Sequence, residues 1–383
     1  PSSVMGGVSD FEKWFGQLEK SRCVPDIKFD SFECGTLRGL AWNAKSFISP
    51  LPTSPNTKIT TVPKSVVLGA PYKDDDWDSQ LALKLWNEIE KGKDSEYYGY
   101  CSLLTSGEIN TKDASSASDW VPPSTAPNAL RHWTESELNV LSSASPRGQR
   151  LLRAKESQEK EWKQKYNNEA VSSKMTFSQF EWAMEVVHSR AFKGVGSSSS
   201  SSGDGIDISP GPMLMIGALA PVVSAIAAYV YSADHEVSLP VYVALGVLAV
   251  GPAFYNLLSG DDDKNNAAAE EAVLLPLIDS ANHLEEADSK IEYNPLSGGF
   301  ELTVGPNCFL PADGSPKNAK YTKDGKKKQS LYQLYISYGR KSDPELLLNY
   351  GFLRDVPVTT PDDMSAHRIK LAKAFGDGGG GAS

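Results

Sequence analysis

Cysteine and histidine are scarce in this chain of 383 residues, which has four cysteines and five histidines. Cys23, Cys34, Cys101 and Cys308 lie far apart, with no CxxC pair and no histidine at the spacing of metal ligands. This distribution argues against a zinc site and against a disulfide framework. A reducing compartment fits it best.

Several common cofactor and catalytic motifs are also missing. The sequence has no GxGxxG between a strand and a helix, no Walker loop, no HExxH and no GxSxG, which argues against a Rossmann-type nucleotide-binding domain. Acidic side chains outnumber basic ones by 48 to 38, and the net charge of −10 argues against a nucleic-acid partner. The length predicts two or three domains at ~150 residues each.

Charged residues are absent from two long windows, Ile208–Ala233 and Val237–Gly260. Each window exceeds the ~20 apolar residues that a membrane-spanning helix needs. The serine run Ser197–Ser202 precedes them and Asp261–Lys264 follows, so the pair resembles an insertion between polar linkers. The pattern predicts a helical hairpin in a membrane over residues 208–260; the alternative is a buried hairpin that packs on the rest of the protein.

The remaining sequence alternates between strand-like and helical patterns. Short strands are predicted within Phe32–Ala41, Lys58–Leu68, Val273–Ile278, Phe300–Val304 and Leu334–Tyr338. An apolar stripe at helical spacing predicts a helix from Asp78 to Gly92, and two capping boxes predict the starts of two more helices. The stripe residues are Leu81, Leu85 and Ile89, and the boxes are Thr134-x-x-Glu137 and Thr176-x-x-Gln179.

Four short polar and aromatic clusters remain as candidates for chemistry. Each has an ordinary structural interpretation when taken alone. Asn282-His283 suits a turn at a strand end, Arg190 suits a cation at a helix end, and Tyr350 and Phe352 suit core aromatics. Taken together, and in this order along the chain, the clusters indicate a functional site.

Together these clusters resemble the SET-domain methyltransferases, in the branch typified by the Rubisco large-subunit lysine methyltransferase. The resemblance covers nearly the whole chain outside the hydrophobic insertion. The matching segments are RGLA at 38–41, VPKS at 62–65, the helical block from Trp77 to Val187, SRAF at 189–192, PLIDSANH at 276–283, YG at 338–339 and NYGF at 349–352.

This resemblance implies an α+β fold: a β-rich, knot-like SET core with an inserted helical subdomain, here joined by the hydrophobic hairpin insertion. The domain boundaries that follow are N-terminal SET strands at 1–70, the helical subdomain at 71–188, a SET segment with the serine-rich linker at 189–203, the hairpin insertion at 204–271, the C-terminal SET core at 272–355 and a truncated tail at 356–383.

The resemblance also assigns cofactor contacts, with S-adenosylmethionine as the cofactor and no metal. The backbone around Arg38, Gly39 and Leu40 would hold the cofactor, where glycine allows a close approach. The guanidinium of Arg190 would pair with its carboxylate. The remaining expected contacts are Asn282, His283 and Tyr350.

Catalysis and substrate binding are expected from a second set of residues. Tyr350 and Tyr338 are the expected catalytic residues, and Asp279 and Tyr338 the expected substrate contacts. One departure from the family pattern is Asp343-Pro344, which stands where an asparagine and a small residue are usual.

The activity implied is S-adenosylmethionine-dependent methylation of a lysine ε-amine on a protein. Rubisco- or aldolase-like plastid proteins, or nuclear and ribosomal proteins, are the implied substrates, with a plastid location favoured and a membrane as a further partner through residues 208–260. Two alternatives stay open: a protein-histidine methyltransferase, and a catalytically silent, membrane-tethered SET-fold binding module.

Overall fold

A computed structural model provides the structure of the chain, and its described residues all belong to one compact unit. They are residues 7–18, 21–23, 27–32, 37–44, 54–108, 120–195, 270–311, 330–354, 356 and 364–377. The hydrophobic windows of residues 208–260 lie outside this set, so the predicted hairpin stays a prediction. Within the set, no helix combines the length and the apolar character needed to cross a bilayer.

Helices and strands both contribute to a mixed fold of α and β elements. The helices are α1 (Val8–Gln17), α2 (Trp77–Glu90), α3 (Tyr98–Leu104), α4 (Glu135–Ala144), α5 (Pro146–Tyr166), α6 (Glu169–Ser172), α7 (Phe177–Arg190), α8 (Asp343–Glu345) and α9 (Met364–Gly376). The strands are β1 (Arg22–Cys23), β2 (Ile27–Phe32), β3 (Leu37–Ala44), β4 (Thr57–Pro63), β5 (Leu68–Pro71), β6 (Phe192–Val195), β7 (Glu271–Leu274), β8 (Asn282–His283), β9 (Ser289–Asn294), β10 (Gly299–Val304), β11 (Phe309–Pro311) and β12 (Ser330–Ile336).

Among the described residues, the strands form three small sheets. The first has the order β1-β4-β10-β9, and the second has the order β11-β12-β3-β2, with β8 added to β12 as a parallel neighbour. The third has the order β5-β7-β6. Each sheet combines strands from distant parts of the sequence, so the N-terminal and C-terminal segments form one structure.

The third sheet defines the position of the insertion. Strands β6 and β7 pair antiparallel, with Phe192 opposite Val273 and Val195 opposite Glu271. The chain therefore leaves this sheet after Val195 and re-enters it at the neighbouring strand. Residues 196–269 between these strands lie outside the described residues, so the hairpin insertion stays a prediction.

The predicted helices form where the sequence pattern places them. The stripe residues of α2 are buried, because that face packs on α7 and the third sheet. Thr134 caps α4 and Thr176 caps α7, each through a complete capping box. These boxes satisfy backbone N–H groups that the first helical turn would otherwise leave free.

Two of the segments predicted to contain short strands each include parts of two strands. The segment Phe32–Ala41 contains the end of β2 and the start of β3, which continues to Ala44. The run Lys58–Leu68 also divides, because Pro63 ends β4 and a 3₁₀ turn at Lys64–Val66 precedes β5. Proline lacks the N–H that a further ladder bond requires.

A main core and a smaller second core hold these elements together. The main core joins the sheets to α1, α2, α3 and α7. The second core joins α4 and α5 to α9, which contributes Leu371, Ala372 and Phe375. The segment predicted as a truncated tail thus supplies a helix that is buried against the helical block.

Candidate functional site

Four aromatic rings from three separate segments meet beside strand β8. The imidazole of His283 stacks on the ring of Tyr338, with centroids 4.9 Å apart and planes inclined by 25°. The ring of Tyr350 lies 5.4 Å from Tyr338, and Phe352 lies 6.0 Å from His283 and 6.1 Å from Tyr350. These four residues are named the aromatic cluster below.

Pairing between β8 and β12 brings two of these segments together. The two strands run parallel, with Asn282 opposite Tyr335 and His283 opposite Ile336. The Tyr338 backbone N–H donates a hydrogen bond to Nδ1 of His283 at 3.1 Å, and the Tyr338 hydroxyl donates to the Ala281 carbonyl at 2.8 Å. Both contacts fix the Tyr338 ring over the imidazole.

Tyr350 stands at the end of a short helical segment. Ser342 caps α8, and a single π-helical turn over Leu346–Tyr350 follows directly. Gly351 ends that turn with φ at +77°, and a Cβ at this position would lie 2.1 Å from the carbonyl carbon of Asn128. Only glycine fits such a position, because other residues rarely adopt this conformation and no space exists for a side chain. π-Turns of this kind are frequent at functional sites.

Burial keeps the ionisable groups of the aromatic cluster neutral. It raises the pKa of Tyr338 to about 12 and raises the pKa of Tyr350 as well. It also lowers the pKa of His283, whose Nδ1 already accepts a hydrogen bond. At neutral pH the cluster therefore presents protonated hydroxyls and an uncharged imidazole.

A charged group of residues lies next to the aromatic cluster. The carboxylate of Asp279 is completely buried and accepts a hydrogen bond of 2.5 Å from the hydroxyl of Tyr100. Nη1 of Arg190 lies 3.9 Å from this carboxylate and donates to the Asp279 backbone carbonyl at 2.9 Å. Burial raises the pKa of Asp279, an effect that Arg190 and Tyr100 oppose.

Arg38 adds a second guanidinium to this group. Its Nη1 donates to the Leu103 carbonyl at 2.9 Å, and burial together with the charge of Arg190 lowers its pKa to about 10. Gly39 and Leu40, which follow on β3, are buried. Two guanidinium groups therefore face one carboxyl group, an arrangement that favours an additional anionic partner.

Two buried hydrogen-bond donors in this region have no partner among the described residues. They are Nε of Arg190 and Nδ2 of Asn282. Arg190 binds the carbonyl of Asp279, which is three residues from Asn282, so the two donors belong to the same neighbourhood. Buried donors normally find an acceptor, and a ligand that carries a carboxylate or carbonyl would provide one.

A second polar cluster contains the residue types of a hydrolase triad but not its geometry. The Ser124 hydroxyl donates to Glu185 at 2.6 Å, and Nε2 of His132 lies 3.0 Å from Ser124 and 2.5 Å from Glu185. One imidazole nitrogen thus faces both partners, whereas a triad uses one nitrogen for each. Glu185 instead anchors the loop through the backbone N–H groups of Thr125 and Ala126.

The part of the chain that the structure describes contains no set of metal ligands. No group of three or more histidine, cysteine, aspartate or glutamate side chains there is arranged to hold an ion.

The structure brings the expected site residues into two adjoining groups. His283, Tyr338 and Tyr350 belong to the aromatic cluster, and Arg38, Arg190 and Asp279 to the charged group. Asn282 stands next to His283 on β8, and Gly39 and Leu40 follow Arg38 on β3. The carboxylate of Asp279, expected to contact substrate, points into the protein interior. Sequence reasoning missed Tyr100, which no local pattern distinguishes from its neighbours Tyr97 and Tyr98.

Solved structures resemble this chain, whereas family models and curated proteins do not. No family model matches the chain, and no curated protein does. One solved structure, described as the SET domain of LSMT bound to lysine and AdoHcy, has a TM-score of 0.47 and 16% sequence identity over 91% of this chain. Another, described as Rubisco LSMT bound to AdoMet, has a TM-score of 0.46 and 17% identity over the same share. The chain spans 57% of the length of each.

Proposed function

We propose that this chain is an S-adenosylmethionine-dependent protein-lysine N-methyltransferase with a SET-type core. One observation carries the proposal. Three segments that resemble SET motifs meet in the aromatic cluster, beside two buried hydrogen-bond donors that have no partner among the described residues. His283 is 55 positions before Tyr338 in the sequence, so unrelated structural roles would not require these segments to meet.

The residues around the charged group fit the cofactor's polar end. Nε of Arg190 and Nδ2 of Asn282 would donate to its carboxylate and to nearby oxygen atoms, and Arg38 would add to the positive potential. The buried backbone at Gly39 and Leu40 and the imidazole of His283 would line the rest of the site. The bound cofactor supplies an electrophilic methyl group on a positively charged sulfur.

The aromatic cluster suits the approach of an amine. Methyl transfer is an in-line displacement in which the methyl–sulfur bond breaks as the methyl–nitrogen bond forms, so positioning is the main requirement. A lysine must lose its proton before it attacks, and burial among aromatic rings favours the neutral amine. The hydroxyl of Tyr350 would hold the methyl group through weak C–H···O contacts, while Tyr338 shapes the channel.

Asp279 has an indirect role in this proposal. Its carboxylate is completely buried, so it acts on substrate and cofactor only through the side chains it positions. The finer assignments remain proposals from the sequence: a plastid protein as substrate, lysine rather than histidine as acceptor, and membrane association through residues 208–260.

Cofactor binding by the full chain provides the first test. Titration calorimetry with S-adenosylmethionine should show binding that Arg190→Met weakens by at least about tenfold, because a charge-assisted bond to the carboxylate is lost. The control Lys174→Met also removes one cation, but from an exposed position after α6, and should bind like the wild type. Absence of binding by the wild-type chain would refute the proposal.

Methyl transfer provides the second test. Wild-type protein incubated with tritiated S-adenosylmethionine and a protein extract should label lysine residues. Tyr350→Phe should retain cofactor affinity within about twofold but transfer about tenfold more slowly, because only the transfer step uses the hydroxyl. Unchanged transfer by this variant would show that the role of Tyr350 is misassigned, and labelling of histidine would favour the alternative acceptor.

A further inference from the structure

Helix α5 carries a positive charge that contrasts with the rest of the chain. Its 21 residues include seven arginines or lysines and three glutamates, an excess of four positive charges, whereas the whole chain has a net charge of −10. A local concentration of one charge sign on a protein of the opposite sign indicates a surface for a charged partner.

Part of this positive charge lies on one exposed side of the helix, which also carries the exposed Glu156. Gly148, Leu151 and Trp162 are buried on the side that packs against the protein. Arg150, Arg153, Lys160 and Lys163 are exposed, and none of these four forms an ion pair with a described residue. Arg150, Arg153 and Lys160 are spaced i, i+3 and i+10, so they follow one side of the helix over ~15 Å. These three residues define the basic face.

A neighbouring side of α5 supports the segment that carries Tyr350. Gln158 donates a hydrogen bond of 3.0 Å to Asn349, the residue directly before Tyr350. Arg147 donates to Asp343 at 2.9 Å, at the start of α8. Helix α5 therefore carries the basic face on one side and, on a neighbouring side, contacts the segment that leads to Tyr350.

A chain bound to the basic face can reach the site. The basic face and the side that contacts Asn349 are about a third of a turn apart, and passing around a third of a helix about 11 Å in diameter requires ~12 Å, which an extended chain covers in about four residues. A protein substrate that binds the basic face would thus place a lysine about four or more residues away at the aromatic cluster.

We propose that the basic face of α5 is the docking surface for an acidic segment of the methyl-acceptor protein, a conclusion that rests on the proposed methyltransferase function. An acidic protein segment fits better than the other anionic partners. The exposed side of α5 offers no aromatic ring for stacking on nucleic-acid bases, since Trp162 is buried, and no apolar stripe for insertion into a lipid surface.

Peptide binding tests this surface without any need for catalysis. The probe is a fluorescent peptide with one lysine and a cluster of glutamates five residues away, compared with the same peptide in which glutamine replaces each glutamate. Fluorescence anisotropy with the full chain should show preference for the acidic peptide and loss of that preference at high salt. The variant R150E/R153E/K160E should weaken acidic-peptide binding by at least about tenfold.

A matched control separates the basic face from overall charge. The variant K13E/K93E/K174E makes the same change of charge at exposed lysines on other parts of the protein and should keep the wild-type affinity. Both variants should bind S-adenosylmethionine normally, and in methylation of the acidic peptide the basic-face variant should raise KM while kcat is unchanged.

Several outcomes would overturn the docking proposal. They are equal affinity for the two peptides, equal loss in both triple variants, and tighter binding of single-stranded DNA or of vesicles that contain phosphatidylserine. If S-adenosylmethionine binds and peptides are methylated but the basic-face variant behaves like its control, the docking proposal fails and the methyltransferase proposal stands. If acidic peptides bind selectively but no cofactor does, the methyltransferase proposal fails, and with it the role of the basic face as a docking surface for a methyl acceptor.

Discussion

Replacing Tyr100 by phenylalanine removes one hydroxyl from the protein interior and leaves the aromatic ring in place. The ring is completely buried in α3, so its packing should be unchanged. The hydroxyl donates the 2.5 Å hydrogen bond to the buried carboxylate of Asp279. The substitution therefore tests whether this bond stabilises the charged group of the proposed site.

The structure sets the expected size of the effect. A hydrogen bond to a charged group contributes about 1.5–3 kcal/mol, against about 0.5–1.5 kcal/mol for a neutral pair. Asp279 keeps its interactions with Arg190 and with the Ser280 hydroxyl, at 3.9 and 3.3 Å. We therefore expect Tyr100→Phe to reduce the free energy of unfolding by about 1.5–3 kcal/mol at neutral pH.

The loss should depend on pH in a defined direction. Burial raises the pKa of Asp279 in the folded protein above its ordinary value. The contribution of this group to the free energy of unfolding is therefore fully present at pH values below the unfolded pKa. It is lost as the pH rises through the folded pKa. The hydroxyl of Tyr100 opposes that rise, so its removal raises the folded pKa further. The difference in the free energy of unfolding between Tyr100→Phe and the wild type should be smallest at acid pH and should grow as the pH increases.

Urea unfolding of both proteins at two pH values measures this difference, and Tyr97→Phe is the matched control. The hydroxyl of Tyr97 makes a longer bond of 3.3 Å to the Ser65 carbonyl at an exposed position. Its loss should cost less than about 0.5 kcal/mol, because water replaces a neutral, exposed bond. Equal effects of the two substitutions, or a Tyr100→Phe penalty that shrinks as the pH rises, would refute the reasoning.

Three further substitutions test other parts of the structure. Glu185→Gln should lower the free energy of unfolding by roughly 3 kcal/mol in urea titrations, because it removes the buried negative charge that lies 3.6 Å from Nε of Arg131; a loss below about 1 kcal/mol would contradict this. Gly351→Ala should destabilise by more than about 2 kcal/mol and slow methyl transfer, because its Cβ would collide with the backbone of Asn128; a normal melting temperature would exclude the steric argument. Glu137→Gln should speed hydrogen exchange in α9 more than in α2, because Glu137 holds Arg368 of α9 in a buried pair at 3.2 Å; uniform exchange would show that the second core alone holds α9.

Local patterns predicted the helices better than the strands. The stripe of α2 and the capping boxes of α4 and α7 are signals within a few residues, and each led to a helix with the expected start or buried face. The strands are short and pair with distant partners, so their ends depend on neighbours that a local pattern does not contain. Strands β2 and β3, for example, extend beyond the segment Phe32–Ala41 at both of its ends.

The site also depends on contacts between distant residues, which local patterns do not contain. The residues of the aromatic cluster were found because they belong to strings that resemble a family, not because their types or spacing identify chemistry. Tyr100 belongs to no such string, and its partner Asp279 is 179 positions away in the sequence. Because the partner is so distant in the sequence, no local pattern distinguishes Tyr100 from other buried aromatic residues.

The contacts of Asp279 also change the role that the helical block has in the protein. Its carboxyl group faces Tyr100 of α3 in that block, Arg190 at the end of α7, and Arg38 of β3, whose own guanidinium binds the Leu103 carbonyl of α3. A shift of α3 relative to the sheets would break the bonds to Asp279 and to Arg38 together, and it would leave a buried carboxylate with a weaker set of partners, which is costly. The block is therefore fixed to the strands at the charged group itself, and the arginines proposed to bind the cofactor are held in position by both parts of the protein.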